Sequence, residues 1–238
     1  KRYRYQVAGS DMVEELECKS NIVYANKANL KIRQMKALEG QPFEMGDTLE
    51  SGLETERPVH DVALTYDYYL GKLEVNQQEF LEFLNDAGVN RFGLMHGHYL
   101  LEMESDACPY SYDNTDGKFK LRFENSGQRA LMNVTWWGAV EYCNWMSEKD
   151  GLCVAYDHET GELLDLNGDV TEHISEVEAY RLPPEAEWEY ASRGGQEDIS
   201  NGVDQNDYLY AGCNNVTIFD HVWFSLNATD LSTFSGQT

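Results

Sequence analysis

Apolar positions fall at helical spacing in three separate stretches of the chain. In "NQQEFLEFLNDAG", Phe80, Leu81, Leu84 and Ala87 line one face, Asn76 precedes them as an N-cap with Glu79 placed to complete a capping box, and Gly88 supplies the stop. In "TWWGAVEYCNWMSEKDG", Thr135 is the cap, Trp136, Ala139, Val140, Cys143 and Met146 recur at spacings of three and four, and Gly151 ends the helix. The third stretch, "RLPPEAEWEYASRGG", puts Pro184 in the first turn, Ala186, Tyr190 and Ala191 on one face with Trp188 at its edge, and Gly194 at the left-handed exit. Its Glu185, Glu187 and Glu189 favour the positive N-terminal end, each by roughly 0.3–1 kcal/mol when exposed.

Elsewhere the pattern is shorter. "YRYQV" and "NIVYA" read as short strands, "LKIRQMKAL" as a further strand, and "EGQPFEMGD" as the turn that follows it. Val59, Val62, Leu64, Tyr66 and Tyr68 alternate imperfectly with polar residues, which predicts an antiparallel strand leading into the first helix. Residues 89 to 131 mix Gly, Asp, Asn and Tyr in irregular order, so a long loop or insertion is expected, a kind of segment that in compact domains usually serves function. The length allows one substantial core, so one domain over 1–238 is expected, with 1–30 as its opening segment.

Composition narrows the partners. Forty-two acidic against 18 basic residues give a formal charge of −24, which repels phosphate backbones and anionic headgroups, so no nucleic-acid partner is expected. The charge serves solubility, and any charged ligand is expected to be cationic, a divalent ion included. No apolar run approaches the ~18 residues of a membrane span. Cys18, Cys108, Cys143, Cys153 and Cys213 show no CxxC or Cys/His ligand spacing, and their odd number leaves one thiol over if the others pair.

Three groups of residues carry candidate chemistry. "DLNGDVTEHISE" sets Asp165, Asn167, Asp169, Thr171 and Glu176 at positions 1, 3, 5, 7 and 12 of a calcium-loop template, but Val170 stands where that loop needs glycine. A β-turn at Asn167-Gly168 accounts for the same letters without metal. His96 and His98 in "MHGHYL" are placed to ligate a metal from one strand face, against the simpler account of hydrogen-bonded or surface imidazoles. The third group is Asn133, Asn215 and Asn227, each heading an Asn-x-Ser/Thr triplet that matters only in a glycosylating secretory pathway. No GxSxG elbow is present.

Five segments in order, "FEMGD" (43–47), "ERPVHDVAL" (56–64), "LEVNQQEFLEFLN" (73–85), "NVTWWGAVEYCNWMS" (133–147) and "YRLPPEAEWEYASRGG" (180–195), resemble the formylglycine-generating enzyme family, also called sulfatase-modifying factor domains. The match is densest over residues 40–195. The resemblance implies an α+β, C-type-lectin-like fold of short antiparallel strands, about three helices and much irregular loop, in which 181–195 is a scaffold helix with its aromatics packed inward. Pro184 departs from the threonine usual before "EAEWEY", and so loses a cap worth ~1 kcal/mol.

Active members of that family oxidise a sulfatase cysteine to formylglycine with oxygen and copper held by two thiolates, ligands suited to Cu(I). Those thiolates belong to the family's C-terminal catalytic part, relative to which this chain is incomplete, and none of the five cysteines matches the pair. Relatives with histidine-based iron sites are similar in scaffold. His60, His96, His98, His158, His173 and His221 lack their helical histidine pattern, although a facial triad can be assembled from distant residues. A family calcium site corresponds here to the side chains of Asn215 and Asn227 with the carbonyls of Val216 and Thr229. The run "NVTIFDHVWFSLNATDLSTF" offers Trp223, Phe224 and Asn227 as ligand contacts, aromatics being common interface anchors. The expectation is therefore a non-catalytic scaffold that binds or displays a protein or small-molecule ligand, in an extracytoplasmic setting. The alternative is a fragment of a copper-dependent oxidase.

Overall fold

A computed structural model describes residues 32–35, 42–50 and 52–195. These residues have mixed α and β structure, with three α-helices and short antiparallel strands among them. The described residues cluster into two compact units, one drawn from 32–72 and 183–195 and the other from 73–182. No helix among them is long and apolar enough to cross a membrane.

In the first unit, strand β1 (Ile32–Met35) pairs antiparallel with β4 (Tyr68–Gly71), and β2 (Phe43–Met45) pairs with β3 (His60–Val62). The stretch expected as a turn thus contains a strand, because Phe43 and Met45 alternate with exposed Glu44 and both are buried. Helix α3 (Glu185–Ser192) packs on β2, with the Tyr190 ring 5.2 Å from that of Phe43. Its glutamates do more than meet the helix dipole. The Tyr66 hydroxyl donates to Glu187, which is buried, and Glu189 accepts from the Gly46 amide and the Arg193 guanidinium. Trp188 does not turn inward: it is 60% exposed, because it lies two residues from both Ala186 and Tyr190 and so falls on the opposite face of the helix. Pro184 is the N-cap residue and offers no side-chain cap.

The second unit holds the larger core. Helix α1 (Gln77–Asp86) begins in the expected capping box, Asn76 accepting from the Glu79 amide at 2.9 Å while Glu79 accepts from the Asn76 amide at 3.0 Å. Phe80, Phe83 and Leu84 are buried against helix α2 (Trp136–Lys149) and the region between the helices. That region, expected as irregular, forms two short hairpins: β5 (Leu94–Met95) with β6 (His98–Tyr99), and β7 (Tyr110–Asp113) with β8 (Lys118–Leu121). Phe119 and Tyr110 enter the core, and Asn85 of α1 bonds both the amide and the carbonyl of Phe119.

At 165–169 the chain makes a tight turn. Asp165 accepts from the amides of Asn167 and Asp169, Gly168 has φ of 80°, and Leu164 bridges to Val170. The Asp165 carboxylate is engaged in holding this turn, which is the β-turn account of the calcium-like letters. Asn215, Val216, Trp223, Phe224, Asn227 and Thr229 lie outside the described residues, as do "YRYQV" and "NIVYA".

Candidate functional site

Helix α2 is the platform. Thr135 caps it, accepting from the Gly138 amide at 3.0 Å and donating its hydroxyl to the Tyr99 carbonyl at 2.6 Å, so the cap also ties the β5–β6 hairpin to the helix start. Gly138 permits the approach: a Cβ there would lie 2.2 Å from the Leu100 carbonyl oxygen. The hairpin tip is His96-Gly97, with φ of 48° and 87°, the two positive values that a tight two-residue hairpin turn requires. A histidine held at positive φ costs backbone energy that other contacts must offset, and such residues concentrate at functional sites.

From this tip His96 Nδ1 lies 3.0 Å from Glu141 Oε1, on the α2 turn after Gly138. A second imidazole meets the other oxygen, His158 Nδ1 lying 2.9 Å from Glu141 Oε2. Asn144, one turn along α2, sets that loop in place. Its side-chain oxygen accepts from the Ala155 and Tyr156 amides and its NH2 donates to the Tyr156 carbonyl. Asp157 then closes the turn carrying His158 by accepting from the Glu159 and Thr160 amides.

Glu141 is completely buried, and the two imidazole rings stand 4.3 Å apart at 62°. One ligand-capable atom from each of the three residues lies within 4.8 Å of the others. Burial pulls the Glu141 carboxyl upward, but hydrogen bonds from His158 and His96 outweigh it and hold the carboxyl below its ordinary value. The bond to Glu141 raises His158 against the opposing effect of burial.

The cluster opens on a cavity of about 430 Å³. Asp86, Trp145 and Lys149 build its far wall: the Trp145 indole donates to Asp86 at 2.9 Å, and the Lys149 ammonium lies 4.3 Å over the Trp145 ring. His98, proposed beside His96 as a ligand, is directed elsewhere and stacks on Trp137 at 3.5 Å. Strand alternation does not govern the pair, because the turn falls between them. Glu141 and Asn144 carry no apolar periodicity because both are polar, so nothing in the spacing of α2 marks them as buried. The buried positions are Gly138, Val140, Glu141, Asn144, Trp145 and Ser147. The His-Gly pair between two apolar-aromatic dipeptides was the one local sign of the hairpin.

Cys108 is buried in the cluster around Phe80, whereas Cys143 packs in the separate cluster around Val140, where burial pushes its thiol up to about 12. Cys153 is disulfide-bonded.

The family model of the sulfatase-modifying factor enzyme 1-like domain matches residues 20–227. Among curated proteins, the chain is 31% identical to the chaperone protein LppX of Paenibacillus barcinonensis over 68% of its own length and 45% of the relative's. It is 26% identical to the formylglycine-generating enzyme of Bos taurus over 66% of this chain and 38% of that one, and 24% identical to the enzyme of Mus musculus over 71% and 42%. The matched stretches thus span less than half of each relative. With its capped helices, its order of motifs and a family match across most of its length, the chain belongs to the sulfatase-modifying factor domain family.

Proposed function

We propose that this chain is a single sulfatase-modifying-factor-like domain of C-type-lectin-like architecture that acts as a binding scaffold, with the cavity beside Glu141 as its ligand site. The observation that carries this reading is the lining. The cavity presents carboxylates, imidazoles and one ammonium group, while Cys108 and Cys143 are packed in apolar clusters away from it. Its volume falls in the range of small-ligand sites. The similarity to a protein named a chaperone agrees with a role in binding. Calcium held by Asn215, Val216, Asn227 and Thr229, and ligand contacts through Trp223, Phe224 and Asn227, belong to the same proposal.

The second reading, part of a copper-dependent oxidase, is favoured by the similarity to two formylglycine-generating enzymes. One assay can overturn the scaffold reading. The purified 238-residue chain is incubated with Cu(I), oxygen and a CxPxR-containing peptide, and the peptide is weighed by mass spectrometry. The scaffold reading expects unchanged peptide; conversion of the thiol to an aldehyde would overturn it. Ligand occupancy is read with 1,4-diaminobutane, a simple dication, expected to shift the Trp145 indole resonance. No shift at millimolar concentration counts against the cavity as the site.

A further inference from the structure

We infer that His96, Glu141 and His158 form a binding site for a divalent first-row transition-metal ion, zinc or a close neighbour, with its remaining coordination positions turned to the cavity. Two imidazoles and a carboxylate are the ligand set that such ions accept, whereas calcium and magnesium favour all-oxygen surroundings. The spacing fits. Ligands about 2.1 Å from a common ion are about 3.0 Å apart at adjacent octahedral positions and about 3.4 Å apart in a tetrahedron. His96 Nδ1 lies 3.0 Å from Glu141 Oε1 and His158 Nδ1 lies 2.9 Å from Oε2, so an ion between the rings would take the carboxylate through one oxygen or both, and one ligand atom from each residue lies within 4.8 Å of the others.

Charge argues in the same direction. Protonating both imidazoles would set two cations beside each other, with ring centres 4.3 Å apart, whereas one dication between neutral imidazoles answers the buried Glu141 carboxylate without that repulsion. The scaffold supports the geometry from both sides. His96 is fixed at positive φ by a two-residue turn anchored through Thr135, and His158 is fixed by the Asn144 and Asp157 bonds. The site does not depend on the scaffold reading: it would hold its ion whether or not the chain binds an organic ligand or belongs to a longer oxidase.

The test is a zinc titration of the chelator-treated chain by calorimetry, repeated with Co(II) while visible ligand-field bands are recorded. One ion per chain is expected, with the His96 and His158 ring resonances moving on binding. His96→Ala and His158→Ala should each weaken binding by about 100-fold or more, the upper end of what loss of an outer-shell partner costs. His60→Ala, in the other unit, should leave binding unchanged. Glu141→Gln is the sharper variant, but it alters a core position. His96→Ala, at a side chain 42% exposed, keeps the test decisive if Glu141→Gln fails to fold, with circular dichroism of the metal-free proteins as the check. Absence of stoichiometric zinc binding would overturn the inference. So would binding that survives both histidine substitutions, or calcium competing equally with zinc at this site.

Discussion

Asn144 shows how one side chain can do the work of a backbone ladder. It is almost wholly buried, and it satisfies two amides and a carbonyl of the segment leading to His158. Asn144→Ala strands those groups and is expected to cost about 3 kcal/mol, since each unsatisfied buried group costs about 1–3 kcal/mol. Urea unfolding measures this, and a loss below about 0.5 kcal/mol would refute the role. Asp113 supplies a residue-level pH prediction. The Lys120 ammonium, 2.6 Å away, and the Thr115 amide lower its carboxyl from the ordinary 3.8 to about 2. A depressed carboxyl favours the folded state above its ordinary value, and the contribution fades as pH falls toward about 2. Carbon-detected NMR titration should place the Asp113 midpoint there, and Lys120→Met should return it toward the usual range.

At the scale of elements, helix starts are where local chemistry decides most. The capping box at Asn76 satisfies two of the amides that a helix leaves open, and Asn76→Ala is expected to cost about 1 kcal/mol. Thr135→Ala should cost more, because its hydroxyl also holds the Tyr99 carbonyl of the β5–β6 hairpin. The difference between the two variants is read from their thermal midpoints. Equal losses would mean that the Thr135–Tyr99 bond contributes nothing. Thr135→Ser keeps both hydrogen bonds and should recover most of the loss. These starts were legible because the cap and its partners lie within four residues of one another. The hairpins at 94–99 and 110–121 were not, since strands of two to four residues are too short for alternation to rise above an irregular, Gly- and Asp-rich background.

Across the whole molecule, the charge of −24 is the largest unbalanced quantity. Self-repulsion of this size works against the compact state, and salt relieves it. Raising NaCl from about 10 mM to about 150 mM shortens the screening length from about 30 Å to about 8 Å, and the melting temperature should rise by a few degrees. Scanning calorimetry across that range decides it, and a flat or falling midpoint would show that the acidic residues are already compensated by local partners. The same field makes the cavity more hospitable to cations than its own lining suggests, a point in common between the ligand and metal proposals.

Sequence alone determined where α1, α2 and α3 begin and end, that Phe80 and Leu84 of α1 enter the core, and the family to which the ordered motifs belong. These features rest on caps, periodicity and turns whose partners are close along the chain. Only the tertiary structure decided that His96 meets Glu141 across 45 residues and that His158 meets it across 17. A buried carboxylate on a helix face that mixes polar and apolar side chains has no periodic signature. It becomes a site only when a strained hairpin tip and a turn hung from Asn144 deliver two imidazoles to its opposite oxygens.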